Sequence, residues 1–200
     1  MLLEAGAAIS HIDFPETAIA SIVAETGDGR RLEVGIFGRE GMSGTRLLLG
    51  IERNLHECFI QVAGDGLRMP ASALLNAFAL SPSLRAALLR FVEVLAVQTA
   101  HTAVANGSFT IEQRLARWLL MCHDRIDGDE LALTHEFLAI MLGVRRSGVT
   151  VAVQVLEGGR IIQAERGRIT IRDRRRLEEV AEASYGTPEA EYERLIGPFR

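Results

Sequence analysis

The sequence predicts an α+β chain in three successive parts, and three patterns carry the prediction. Residues 9–69 alternate apolar and polar side chains between glycine turns, which predicts short paired strands. Residues 82–106 change to helical spacing. Residues 135–171 hold two short helical patterns joined at a glycine and followed by a hairpin pattern. Two hundred residues, 48% hydrophobic and 24% charged, suffice for a buried core and exclude disordered and fibrous classes.

In the first part, residues 19–25 and 32–37 flank Thr26-Gly-Asp-Gly-Arg30, the signature of a hairpin. Further strands are expected around Ile12 and over 58–62, with turns at 38–44 and 64–66. Many short strands at regular spacing predict a β-roll of the double-stranded β-helix or jelly-roll kind over residues 1–81.

In the second part, Leu84, Leu88, Phe91, Leu95, Gln98 and Thr102 fall at alternating steps of four and three, a heptad seam. That spacing fits one helix packed on the roll as well as a seam between two copies. With the C-terminal context it is read as a dimerisation helix over 82–106, ended by Asn106-Gly107, with Ser108 or Thr110 capping the next helix. Arg90 and Glu93 interrupt its apolar run, so no membrane span is expected, and Glu4 stands where a signal peptide would be basic. The expected location is cytoplasmic.

The third part carries the function. Two short helices that cross steeply need a small residue at the contact, glycine at the turn and apolar inner faces. Ala139, Gly143, Val144, Val149 and Ala152 stand at those positions, with Leu138 and Leu142 completing the core. The second helix then presents Arg145, Arg146, Ser147 and Thr150 outward, and an arginine there can make two hydrogen bonds to guanine in a major groove. Thr134 and His135 open the first helix and can donate to phosphates. The hairpin of 160–163 and 168–171 would be a wing carrying Arg166 and Arg168. Net charge is −4, yet residues 144–176 hold nine arginines against three acids. This segregation marks a local nucleic-acid surface. A winged helix-turn-helix is predicted for 107–175. A helical tail over 176–200 follows, its helix starting at Asp173 with Arg174/Glu178 and Arg175/Glu179 spaced as ion pairs.

The order of roll, long helix and winged helix-turn-helix, and above all Leu142-Gly-Val-Arg-Arg-Ser-Gly-Val-Thr150, resembles the Crp/Fnr superfamily of bacterial transcription regulators. The resemblance implies a homodimer on a two-fold symmetric site in double-stranded DNA, a signal received in the roll, and contact with RNA polymerase if the protein activates. It places an effector pocket at Gly41, Met42, Ser43, Gly44, Asn54 and Leu55. Cyclic-AMP-binding members carry Gly-Glu-x-Gly and then an Arg-Ser pair, whereas this chain has Gly41-Met-Ser-Gly44 and Asn54-Leu55. The lost acid and arginine argue against cyclic AMP. The cysteine cluster of the oxygen-sensing branch is missing, and His11, His56, His101 and His123 form no evident haem set. Residues 2–6 already read as the roll's opening, so a shortened N-terminus is expected.

No catalytic set survives inspection. His135-Glu136 begins a zinc-protease motif, but its second histidine would be Ala139. Residues 41–45 lack the last glycine of a nucleophile elbow, and 27–32 lack the third glycine of a dinucleotide fingerprint. Cys58 and Cys122 have no metal-ligand spacing, so neither zinc nor an iron–sulfur cluster is expected, and no cofactor is evident. Three rival readings accompany the regulator. One is a ligand-binding or protein-interaction module without DNA binding. Another is a DNA-binding thiol redox sensor using Cys58 or Cys122. The third is a regulator with no small ligand, controlled by its abundance.

Overall fold

The computed structural model describes residues 1–199, and its α+β fold follows the predicted order. Strands β1 (His11–Pro15), β2 (Ile19–Glu25), β3 (Arg31–Phe37), β4 (Glu57–Val62) and β5 (Gly66–Pro70) build the first part. They form a two-stranded β1-β5 sheet and a three-stranded sheet in the order β3-β2-β4, all antiparallel. The β2–β3 hairpin closes as expected, with the Thr26 amide donating to the Arg30 carbonyl at 2.9 Å and Gly29 at φ 82°.

Two elements have no counterpart in the sequence prediction. β5 is mostly exposed and pairs with β1, fifty residues earlier, so neither alternation nor a hairpin turn announces it. Helix α1 (Ala71–Leu80) takes the end of the expected roll segment because its alanines and leucines favour a helix and carry no strand period.

Helix α2 (Pro82–Ser108) begins where expected, with Ser81 accepting from the Leu84 amide at 3.3 Å, but runs two residues further. Asn106-Gly107 does not stop it. The stop comes from helix α3 (Ile111–His123), whose Thr110 cap exchanges hydrogen bonds with Gln113. By length and composition α2 is apolar enough to cross a membrane, contrary to expectation, since two charges do not offset so many alanines and valines.

The predicted seam is turned inward. Phe91 and Gln98 are buried, and Leu84, Leu88, Leu95 and Thr102 are half-buried against the same chain. Phe91 joins the roll core, and Gln98 Oε1 accepts from the Ile36 amide at 2.7 Å. Thr102 accepts from Arg117 at 3.2 Å. The heptad spacing thus records, at Phe91 and Gln98, packing on the roll of the same chain.

The remaining elements are β6 (Glu130–Leu131), α4 (His135–Leu142), α5 (Arg146–Gly158), β7 (Ile162–Glu165), β8 (Arg168–Ile171), α6 (Arg174–Ala181) and α7 (Thr187–Leu195). Strands β6, β8 and β7 form one small sheet in that order. Asp173 caps α6, and both predicted ion pairs form on or beside it. The single expected tail helix is broken, however, at Glu182 (φ 49°) and Gly186 (φ 106°), which lets α7 fold back onto α2.

The β3-β2-β4 sheet lies between two cores. Ala20, Phe37 and Cys58 face one that includes Ile12, Met42 and Phe91. Ile19, Val23 and Ile36 face the other, which is continuous with α3, α4 and α5. Polar contacts secure the same junction: Arg125 pairs with Glu40 at 2.7 Å with both side chains buried, and Trp118 Nε1 donates to Glu33 at 2.6 Å.

Candidate nucleic-acid interface

The helix pair α4–α5 is built as its sequence requires. Thr134 Oγ1 accepts from the Phe137 amide at 3.2 Å to start α4. Gly143, at φ 61°, ends it, and the chain turns through 106° into α5. A Cβ on Gly143 would lie 2.6 Å from Leu32 Cδ1, so the turn needs glycine for its backbone angles and for its approach to β3. Leu138, Val149 and Ala152 are fully buried between the helices, with Ala139 and Val144 packed beside them.

No side chain caps α5, and Arg145 occupies the cap position in extended backbone. The first amides of α5 therefore point outward beside two exposed guanidinium groups, an arrangement suited to an anion. A cleft of about 570 Å³ runs between the start of α4, α5 and the β7–β8 turn. Thr134, His135, Arg146, Thr150 and Arg166 line it, which brings five of the eight predicted contacts together. Arg145 and Ser147 are exposed on α5 outside this lining.

The arginine cluster divides in two. Arg145, Arg146, Arg160 and Arg166 have no side-chain partner among the described residues. Arg168 pairs at the surface with Glu165 and with Glu130, the latter at 3.4 Å. Arg174 and Arg175 hold acids, Arg172 holds Gln163, and Arg176 donates to the Gly159 carbonyl at 2.7 Å. Thr150 is also engaged: its hydroxyl donates to the Arg146 carbonyl at 3.1 Å and lies 3.1 Å from His135 Nδ1, tying α5 to α4. Val151 and Val155, both more than half exposed on α5, were not singled out from sequence. The available signal is their spacing of four and eight residues from Ser147, which puts them on the same helix face.

A second site lies in the roll. A cavity of about 170 Å³ is lined by Met42, Ser43, Gly44 and Asn54, four of the six predicted pocket residues. Gly41 is outside it because it seats Phe91, whose Cζ would be 2.3 Å from an added Cβ. Leu55 is 59% exposed and faces away. Arg46 and His56 line the cavity in their place. No motif in the sequence singles out Arg46.

The cysteines give the redox reading no support. Cys58 and Cys122 are buried and free, and burial pushes the Cys58 thiol up to about 12 and that of Cys122 well above its ordinary value. A redox sensor needs an accessible thiolate. Among the described residues, no group of three or more metal-ligating side chains comes together.

Residues 113–180 match the family model of the Crp-like helix-turn-helix domain. No curated protein matches the chain in sequence. Among solved structures, a CRP-family transcriptional regulator from Thermus thermophilus superposes with a TM-score of 0.74 at 16% identity, covering 90% of this chain and 92% of the other. FixK2 from Bradyrhizobium japonicum gives 0.75 at 17% identity over 91% and 92%. The c-di-GMP-responsive global regulator CLP from Xanthomonas campestris gives 0.64 at 17% identity over 93% and 89%. Residues 113–180 are therefore a Crp-like helix-turn-helix domain, carried on a chain whose whole fold is that of the CRP/FNR transcription regulators.

Proposed function

We propose that the chain is a cytoplasmic, sequence-specific transcription regulator that binds double-stranded DNA as a homodimer, with the roll receiving its signal. The observation that carries this reading is the uncapped start of α5, where Arg145 and Arg146 stand exposed and without acidic partners beside a cleft walled by the wing. Arg146 is the leading base contact, with Arg145 and the helix amides on phosphate. Ser147 and the methyl groups of Val151 share the outward face, and a β-branched side chain there suits a thymine methyl. Thr134, His135 and Arg166 border the same cleft. Contact with RNA polymerase follows if the protein activates.

The face of α2 opposite the roll supports the dimer. Ala86, Leu89, Glu93, Ala96, Ala100, Ala103 and Gly107 recur at steps of three and four, and all are exposed. Small side chains allow two helices to approach at the short end of the roughly 8–10 Å packing range. Two copies joined there would present α5 to successive major grooves roughly 34 Å apart.

The test is selection of genomic DNA fragments by the purified chain at fixed salt, beside Arg146→Ala and Val151→Ser. A palindromic site is expected, weakened by Arg146→Ala about 5- to 150-fold, from about 1–3 kcal/mol per base-contacting arginine. Val151→Ser should relax preference at one thymine position. Undiminished site binding by Arg146→Ala would point instead to a module whose helix pair binds protein.

A further inference from the structure

We propose that the cavity inside the roll binds a small monocarboxylate with an apolar body, and that Arg46 takes its carboxylate. The inference rests on the reading of the roll as the part that receives the signal, and it names the class of molecule.

Arg46 carries the argument. It sits on the short 3₁₀ turn Thr45–Leu49 at the cavity wall, and its Nε is buried with no hydrogen-bond partner. A buried donor left unpaired costs on the order of 1–3 kcal/mol, so such a group persists where something else completes it. No acidic residue is among those lining the cavity, and no ion pair to Arg46 forms among the described residues. The neighbouring His56 is held below its ordinary range by burial and by the charge of Arg46, so it faces the ligand as a neutral imidazole. Ser43, Asn54 and Thr99 add neutral polar groups.

The rest of the wall decides what else the ligand must be. Ile22, Val34, Phe37, Met42 and Leu95 supply apolar surface. At about 170 Å³ the cavity is close to the roughly 150 Å³ that accommodates benzene in an apolar protein interior. That admits a ring or a short chain with one charged head. A planar guanidinium matches a carboxylate fork in shape and charge. One free cation in a mostly apolar cavity favours a single negative charge over a phosphate dianion.

The experiment uses the full chain and four probes: benzoate, its neutral isostere benzamide, inorganic phosphate and cyclic AMP, measured by calorimetry and thermal shift. Benzoate is expected to bind saturably, at least about tenfold tighter than benzamide, as a charge-assisted pair requires. Arg46→Gln should lose that preference, and Val34→Phe, which fills the cavity, should exclude both probes. Equal binding of benzamide, binding of phosphate or cyclic AMP in place of benzoate, or no binding by any probe would each overturn the proposal. The comparison of benzoate with benzamide on the wild-type chain stands even if a variant fails to fold. No readout of ligand binding depends on DNA, so a chain that takes benzoate but ignores DNA refutes only the regulator reading.

Discussion

Glu33→Gln should abolish a pH dependence of stability centred near neutrality. Glu33 lies on β3 with 4% of its surface exposed, where Trp118 Nε1 reaches one carboxyl oxygen at 2.6 Å and Ser21 Oγ the other at 2.5 Å. Ser21 Oγ also contacts Gln61 Oε1, and one hydroxyl hydrogen cannot serve both acceptors. A protonated Glu33 removes the conflict by donating to Ser21, which then donates to Gln61. Burial accordingly raises the carboxyl from 4.5 to about 7, against the opposing pull of Ser21, Trp118, Arg117 and Arg125. At 1.36 kcal/mol per unit this difference is worth about 3 kcal/mol. Because the folded state holds the proton more tightly than the unfolded chain, the contribution is fully present below pH 4.5 and is lost as pH rises through about 7. Urea denaturation between pH 5 and 8 should therefore show the wild type losing about 3 kcal/mol relative to Glu33→Gln, whose amide keeps both contacts and does not titrate. The single tryptophan reports the same event, since its indole N–H is bonded to the titrating carboxyl. Parallel profiles for the two proteins, with no fluorescence transition near neutrality, would refute the assignment.

Two further outcomes follow from the geometry. Gly143→Ala forces an L-residue to φ 61° and displaces Leu32, so it should destabilise the chain by about 1–2 kcal/mol in denaturation, with a matching loss of DNA affinity. Ala100→Glu places like charges across the exposed face of α2, so sedimentation should show at least about tenfold weaker dimerisation with little change in melting temperature.

The DNA-facing half was legible because its determinants are local. Thr134, Gly143 and Asp173 each end or begin a helix through contacts within four residues, and Arg166-Gly167 forms the wing turn within a hairpin. The roll was less legible because its partners are distant. β5 meets β1 across fifty residues, and α1 has only Ser72 and Asn76 to mark a polar face. Heptad spacing on α2 was real but ambiguous: a period of three and four marks a packed face without saying whether the chain's own sheet or another copy covers it. Charge counting leaves the arrangement of the arginines open for a related reason. Composition cannot distinguish Arg146, which is free, from Arg168, which Glu130 and Glu165 neutralise.

Strand β3 joins the cavity to the helix pair without any separate relay. A β-bulge at Val34, between the Ile22–Gly35 and Val23–Glu33 pairs, breaks the alternation of the strand, so residues of both parities reach each core. Val34 and Phe37 wall the cavity, while Glu33 and Ile36 belong to the core shared with α3 and α4. Between them Gly35 lies under α2, where an added Cβ would stand 3.1 Å from Gln98 Oε1 and 3.2 Å from Leu95 Cδ1. Leu32, at the start of the strand, meets the turn glycine of the helix pair. Strand β3 thus touches the cavity, the core shared with α3 and the turn of the helix pair at neighbouring residues.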